Sequence, residues 1–170
     1  MEVQLNTDRF ILRTMSPEIE NLESYLSWMK NEESNPFIQG VNKDLTAQDL
    51  TNYISEKNES KTALLLGIFV KRENIHVGNV KLEPIIPKKW ATIGILIGEE
   101  NWRGKGAGFE VITRVLEFCF TDLELEFVEL GVNKNNLKAI NLYSRLGFIE
   151  SAQEASSPES ISMSISKSSL

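Results

Sequence analysis

Trp102-Arg103-Gly104-Lys105-Gly106-Ala107-Gly108 places three glycines within five positions. It stands between the apolar, β-branched run 90–97 and a segment whose Phe109, Ile112, Leu116 and Phe120 read as a helix of about 106–120. Five of the ten glycines, at 94, 98, 104, 106 and 108, fall in this short region. A strand that hands over to a helix through such a turn has a definite chemistry. Glycine lets the main chain come close to a ligand and adopt φ > 0, the first N–H groups of the helix have no intrahelical acceptor, and the helix dipole adds positive potential. With Arg103 and Lys105 adding charge, an anion, above all a phosphate, is the expected guest.

Working outward, the runs Thr62–Val70, Ile75–Glu83 and Trp90–Ile97 are separated by polar or proline-containing turns and predict an antiparallel meander. Downstream, Phe127–Val132 predicts a strand and about 137–146 a helix that stops at Gly147, a good residue to follow a helix C-terminus. The serine-rich end alternates Ile161, Met163 and Ile165 with serines at a period of two, and Ser-Ser-Pro-Glu at 156–159 reads as a turn after Phe148-Ile149, so a closing hairpin is expected. Near the start, Phe10-Ile11-Leu12 suggests a strand. Ser16-Pro17 offers an N-cap and first helical residue for a helix carrying Ile19, Leu22, Leu26 and Met29, and Thr46-Ala-Gln-Asp49 opens a second helix as a capping box. Seven strands and four helices in this order imply a layered, mixed α+β domain over 1–170, with no linker or internal repeat dividing it.

Composition narrows the chemistry. The chain has 170 residues, 41% hydrophobic and 25% charged, enough for one core. Its net charge of −6 repels a nucleic-acid backbone, and no signal-type start or membrane-length apolar run is present, so a cytoplasmic protein without a nucleic-acid or membrane partner is expected. One cysteine, Cys119, and one histidine, His76, exclude an internal disulfide and leave no ligand set for a zinc cluster, so no metal is expected. Cys119, among Phe118 and Phe120, reads as core, and His76, beside a hairpin turn, as an exposed residue.

Spacing separates three phosphate-binding readings. A P-loop fails because five residues, not four, follow Gly98 before Gly104-Lys105, and Gly106 occupies the Ser/Thr position; a dinucleotide fingerprint fails because Phe109 stands where its third glycine belongs. The remaining pattern, Arg103-x-x-Gly106-x-Gly108, resembles the pyrophosphate-binding motif of the GNAT superfamily of acyl-CoA-dependent N-acyltransferases. The stretch from Val132 to Phe148, with Asn136, Ala139, Tyr143 and Gly147-Phe148, resembles the same superfamily's Asn-x-x-Ala-x-x-x-Tyr-x-x-x-Gly-Phe region. The opening Thr7-Asp8-Arg9-Phe10-Ile11-Leu12-Arg13 is similar to the branch holding ribosomal-protein alanine and serine N-acetyltransferases, with spermidine acetyltransferases nearby.

The resemblance implies a central, mostly antiparallel seven-stranded sheet with a splayed parallel pair, here about 90–97 and 127–132, flanked by about four helices. It implies acetyl-CoA as cosubstrate in the splay. Leu96, Ile97 and Gly98 would meet the pantetheine arm, the backbone around Arg103, Gly104, Lys105, Gly106, Ala107 and Gly108 the pyrophosphate, and Asn136 the arm from the facing helix. Asn136, Ala139 and Tyr143, spaced i, i+3, i+7, share one helix face. By resemblance Tyr143 donates a proton to the departing thiolate, while a neutral primary amine attacks the thioester directly. The strand before the glycine turn carries no carboxylate at Thr92, Gly94 or Leu96, which leaves the general base open, with Glu83 the first candidate and Glu99, Glu100 and a water relay its rivals. The acceptor is expected to be a protein N-terminus, polyamine, amino sugar or other small amine, and the protein a monomer or homodimer. A noncatalytic CoA-binding regulatory module is the competing reading.

Overall fold

The computed structural model describes residues 2–17, 22–32, 36–37, 42–152 and 157–169. Eight strands form one sheet: β1 (Gln4–Asn6), β2 (Phe10–Thr14), β3 (Leu64–Val70), β4 (His76–Ile86), β5 (Trp90–Ile97), β6 (Phe127–Asn133), β7 (Ile149–Glu150) and β8 (Ser160–Ser166), in the order β1-β2-β3-β4-β5-β6-β8-β7. Four helices accompany them: α1 (Glu23–Lys30), α2 (Ala47–Glu59), α3 (Ala107–Thr121) and α4 (Leu137–Arg145). The mixed, mostly antiparallel architecture with one parallel pair is as expected. The strand beyond the expected seven is β1, whose three residues are too short a run to show a period.

Local chemistry sets most boundaries. The capping box opens α2: Thr46 Oγ1 accepts from Asp49 N at 3.1 Å, and Asp49 Oδ2 accepts from Thr46 N at 2.9 Å. Gly147 sits at φ +96° after α4, as a C-terminal glycine should. The first helix departs from expectation. It begins at Glu23 after Leu22 and not at Ser16-Pro17; of the residues assigned to it, Ile19 lies outside those described. Ser16 and Pro17 instead follow the end of β2, where Met15 N donates to the Leu65 carbonyl and carries the extended chain onward.

Alternation along the strands builds two cores. Leu64, Leu66 and Ile68 of β3, with Val80 and Leu82 of β4, join the α3 residues Val111, Ile112, Val115 and Cys119 on one face. Leu65 and Phe69 point the other way, to Tyr25, Trp28, Leu50 and Ile54 of α1 and α2. His76 belongs to this second layer and is 9% exposed, which corrects the expected surface role: it lies among Tyr25, Trp28 and Phe69, with the Phe69 ring stacked at 4.9 Å.

The parallel pair decides where a ligand fits. β5 and β6 share three rungs, Trp90↔Phe127, Ala91↔Val128 and Thr92↔Glu129, and then part. Beyond the fork each strand follows its other neighbour: β5 stays on β4 to the Ile97↔Gly78 pair, and β6 stays on β8 to Asn133↔Ser160. A bulge in β4 between Leu82 and Ile85, against Ile93 and Ala91, falls at the same level and adds local twist.

Gly98, just past β5, is a packing glycine. A Cβ there would overlap the Trp28 indole. Gly98→Ala should therefore lower stability by about 1–3 kcal/mol and the melting temperature by roughly 2–8 °C, read by a thermal melt with tryptophan fluorescence.

Candidate functional site

A cavity of about 840 Å³ opens at the fork, a size typical of small-molecule sites. Its floor is the sheet face carrying Asn79, Lys81 and Glu83 of β4, Thr92, Gly94 and Leu96 of β5, and Glu129 and Gly131 of β6. Tyr25 and Met29 of α1, Tyr53 of α2, and Pro36 and Phe37 wall one side; Ser157, Ser160 and Ser162 wall the other. Tyr143 also reaches this cavity, although α4 packs against the opposite core through Ala139, Ile140 and Leu142. It does so through the gap left by the parted strands.

The gap exposes main-chain hydrogen-bonding groups. The Gly98 N–H bonds the Val77 carbonyl of β4 at 2.9 Å. By the alternation of strand groups, the main-chain groups of Ile95 and the Ile97 N–H turn toward β6, which has diverged beyond Thr92. Such an edge calls for a partner.

The glycine turn follows a single 3₁₀ turn at Glu100–Trp102. Gly104 and Gly106 sit at φ +69° and +79°, left-handed values that other residues adopt at a cost. They aim the start of α3, with its unbonded first-turn N–H groups, outward. Arg103 turns back onto the strand: Nε donates to the Ile97 carbonyl at 2.8 Å and Nη2 to the Gly98 carbonyl at 2.7 Å, fastening the turn to the end of β5.

A second fastening comes from far away in the sequence. Glu110, in the first turn of α3, accepts from Thr7 Oγ1 at 2.6 Å, Arg9 N at 2.8 Å and Arg9 Nε at 2.6 Å, while Arg9 Nη1 donates to the Lys105 carbonyl at 3.0 Å. Burial pushes the Glu110 carboxyl up, but the Thr7 and Arg9 donors more than offset it and hold it below the usual range. Thr7 and Arg9 of the opening motif thus serve as a brace for the turn.

Of the residues singled out in the sequence, Leu96, Glu83, Asn136 and Tyr143 meet on the cavity wall. Ile97, at the end of β5, and Gly98 and the turn from Arg103 to Gly108 beyond it are not part of that wall. Asn136 caps α4, its Oδ1 accepting from Ala139 N at 3.2 Å. The Tyr143 ring rests edge-on against Phe148, and burial pushes its hydroxyl up to about 12, so it keeps its proton through the neutral range. Burial also pushes the Cys119 thiol up to about 12, which removes it as a nucleophile.

Glu83 is more occupied than its position in the sequence suggests. Its carboxylate binds Lys57 Nζ at 2.8 Å and Lys81 Nζ at 3.0 Å. Burial raises its pKa, but the hydrogen bonds from Lys57 and Lys81 prevail and leave it lowered. Glu99 is taken by Trp28 Nε1 at 3.1 Å and is off the cavity wall. Sequence reasoning missed Glu129, which sits at the last rung of the parallel pair with Thr92 Oγ1 donating to it at 3.2 Å. Its period-two position in β6 was legible; its facing the cavity was not.

An acetyltransferase (GNAT) domain model matches residues 9–149. An uncharacterized N-acetyltransferase, p20, of Bacillus licheniformis is 26% identical over 147 residues, 85% of this chain and 81% of that protein. A spermidine N(1)-acetyltransferase of Vibrio cholerae is 40% identical over 60 residues, 35% of this chain and 34% of that protein. Among solved structures, a GNAT-family acetyltransferase from Bacillus anthracis superposes with a TM-score of 0.81 at 16% identity, covering 98% of this chain and 99% of the other. The spermidine N-acetyltransferase from Vibrio cholerae, in complex with CoA and spermine, does so with 0.79 at 21% identity, covering 95% and 97%. The structural likenesses show the fold.

Because Glu110 braces the turn, Glu110→Ala should weaken CoA binding about five- to tenfold, while Glu110→Gln, which keeps an acceptor oxygen, should weaken it less; calorimetry of CoA binding checks both.

Proposed function

The chain belongs to the GNAT acetyltransferase family, and from that premise we propose that residues 1–170 form one N-acetyltransferase domain moving an acetyl group from acetyl-CoA to a primary amine by direct attack in a ternary complex. That the chain is an acetyltransferase follows from the family and from relatives named N-acetyltransferases, and it sets aside the noncatalytic alternative. The observation that carries the finer reading is the fork: a strand edge from which β6 has parted, running toward a glycine turn with two left-handed residues. An amide-rich pantetheine arm suits that edge as an added strand would, and the backbone from Arg103 to Gly108 suits its diphosphate. The space fits as well, since a Cβ built at Gly94 or Gly104 would meet nothing within 4 Å. A structure of this fold that holds CoA supports the same class of cosubstrate here.

Acetyl-CoA supplies the activated acyl group and a thiolate that departs well. The residues of the chain place and move protons around it. Main-chain N–H groups of Ile95 and Ile97, turned into the fork, are donors for the thioester oxygen. Tyr143, proton-bearing and without a hydrogen-bond partner among the described residues, gives its proton to the departing sulfur. The burial that raises the phenol raises a thiol in the same site in the same direction, which keeps the two matched.

The amine's proton goes to a cavity carboxylate. Glu83 is the sequence's first candidate, but two ammonium groups occupy it. Glu129, with one hydroxyl donor and no ion pair among the described residues, takes the role in this proposal. The acceptor is a small-molecule or peptide amine, the setting cytoplasmic, and the enzyme a monomer or homodimer. No helix among the described residues is long and apolar enough to cross a membrane.

Thiol release from acetyl-CoA across an amine panel tests the reading. CoA binding without amine-dependent release from any amine would overturn it. Tyr143→Phe should lower kcat about 10²-fold while acetyl-CoA affinity, measured by calorimetry, changes little. Glu129→Gln should lower kcat/KM by a similar factor near pH 7, whereas Glu83→Gln should change it less than about threefold, both read by steady-state thiol release.

A further inference from the structure

Besides Tyr143, the cavity wall holds two tyrosines that the proposed reaction leaves without a role, Tyr25 of α1 and Tyr53 of α2. Tyr25 is 5% exposed, its ring 6.1 Å from Trp28 and edge-on to His76. Its hydroxyl nevertheless makes no hydrogen bond among the described residues. Nor is it one of the unpartnered polar atoms sealed from solvent, so the little surface that Tyr25 keeps includes the hydroxyl, on a residue that lines the cavity. Burial pushes its pKa up, the Tyr53 phenol adds to the effect, and the group stays a donor through the neutral range. Tyr53 packs in the same layer with the Lys57 ammonium 5.2 Å from its ring centroid, and its hydroxyl also has no hydrogen-bond partner among the described residues. A ligand that displaces solvent from these phenols must replace the lost hydrogen bonds or bind more weakly.

Charge narrows what the ligand carries there. The ionic residues of the wall are Lys81, Glu83 and Glu129. Lys57 and Lys81 both bind Glu83, and Lys57 binds Glu56 as well, so two cations and two anions close a neutral cluster. Glu129 is then the wall carboxylate without an ion pair among the described residues, and in the proposed reaction it takes the amine's proton. A second ammonium, or a carboxylate, on the acceptor would enter this wall with no counter-charge, and a partly desolvated charge without a partner is penalised.

The phenols and Glu129 stand at opposite ends of one floor. Leu65 of β3, in the core layer of Tyr25, pairs with Lys81 of β4, and Lys81 pairs with Gly94 of β5. Beyond the fork lies β6 with Glu129 and Gly131. A Cβ built at Gly94 or Gly131 would meet nothing within 4 Å, so the middle of the floor is clear. Three strand spacings of about 4.8 Å separate β3 from β6, which sets the reach of a ligand that touches both ends.

We infer that the Tyr25 and Tyr53 hydroxyls hold a neutral oxygen of the acceptor, which is therefore a monoamine bearing a hydroxyl or an amide carbonyl and no second charge. A carbonyl takes a donor on each lone pair; a hydroxyl takes one phenol proton and returns its own to the other oxygen. The amine lies across the glycines at Glu129. Tyr25 is thus a specificity-determining residue. This rests on the N-acetyltransferase reading and names its substrate class; the acyl transfer is unchanged, and the oxygen is neither acylated nor deprotonated.

Straight-chain primary amines that differ only at the far end test it by thiol release: hydroxyl, carboxamide, methyl, ammonium or carboxylate, over a series of chain lengths. At the best length, kcat/KM for the hydroxyl or carboxamide amine should exceed that of the methyl amine at least about tenfold. Either oxygen supports the inference, the hydroxyl arm pointing to an amino alcohol or amino sugar and the carboxamide arm to an amide-bearing amine. Tyr25→Phe, which removes only the hydroxyl, should cut that ratio about tenfold while leaving the methyl amine within about threefold of its original rate, and Tyr53→Phe should act in the same direction. Higher kcat/KM for the methyl, ammonium or carboxylate amine overturns the inference, as do a lack of preference, a ratio that survives both substitutions, and a loss shared equally by the methyl amine. Calorimetry of CoA binding to the same samples separates the failures. Turnover of the methyl, ammonium or carboxylate amine in preference to the oxygen-bearing ones defeats the acceptor class alone. No CoA bound, or CoA bound with no amine turned over, defeats the N-acetyltransferase reading beneath it.

Discussion

The parting of β5 and β6 after three rungs is the constraint on which the rest of the molecule depends. A parallel pair that zipped to its end would satisfy its own hydrogen bonds and leave nothing for a ligand to do. Here each strand is held more completely by its outer neighbour, β5 by β4 and β6 by β8, and the bulge in β4 twists the sheet where the pair stops. The gap follows, and with it a strand edge from which β6 has parted, a cavity on the α1–α2 face, and a path for Tyr143 to reach that cavity from a helix packed on the opposite face.

A gap of this kind is useful only if its far end is held still. Arg103 ties the glycine turn to the last carbonyls of β5, and Glu110 ties the start of α3 to Thr7 and Arg9, about a hundred residues earlier. The Arg9–Glu110 pair is partly exposed and, as an ion pair, contributes no more than about 1 kcal/mol to stability. Its value lies in position: the carboxylate satisfies a side-chain hydroxyl, a main-chain N–H and a guanidinium at once, so the turn's orientation is set by three donors.

Charge within the cavity is arranged differently from charge on the chain as a whole. An acidic protein suggests a cationic substrate, but long-range net charge bears on approach and not on what a wall of four or five side chains binds. Lys57 and Lys81 both bind Glu83, and Lys57 binds Glu56 as well, so the carboxylate of β4 is held within a paired cluster. The carboxylate proposed for proton transfer, Glu129, stands on β6.

The sequence by itself determined the local features: the phosphate-shaped turn, the capping box of α2, the glycine stop after α4, the alternation of the closing hairpin, and the shared face of Asn136 and Tyr143. Each depends on φ preferences, first-turn N–H groups or a period of 2 or 3.6, which act over a few residues. It did not reveal the three-residue β1, too short to show a period, nor the late start of α1, where a Ser-Pro signal was overridden by the chain continuing extended past β2. Only the tertiary structure decided that Lys57 meets Glu83 across 26 positions, that His76 is buried beside Asn79, that Arg103 folds back, and that Glu129 faces the fork. The reason is register: which side chains share a cavity depends on how strands far apart in the chain are aligned, and a slip of one residue would turn every one of them to the other face.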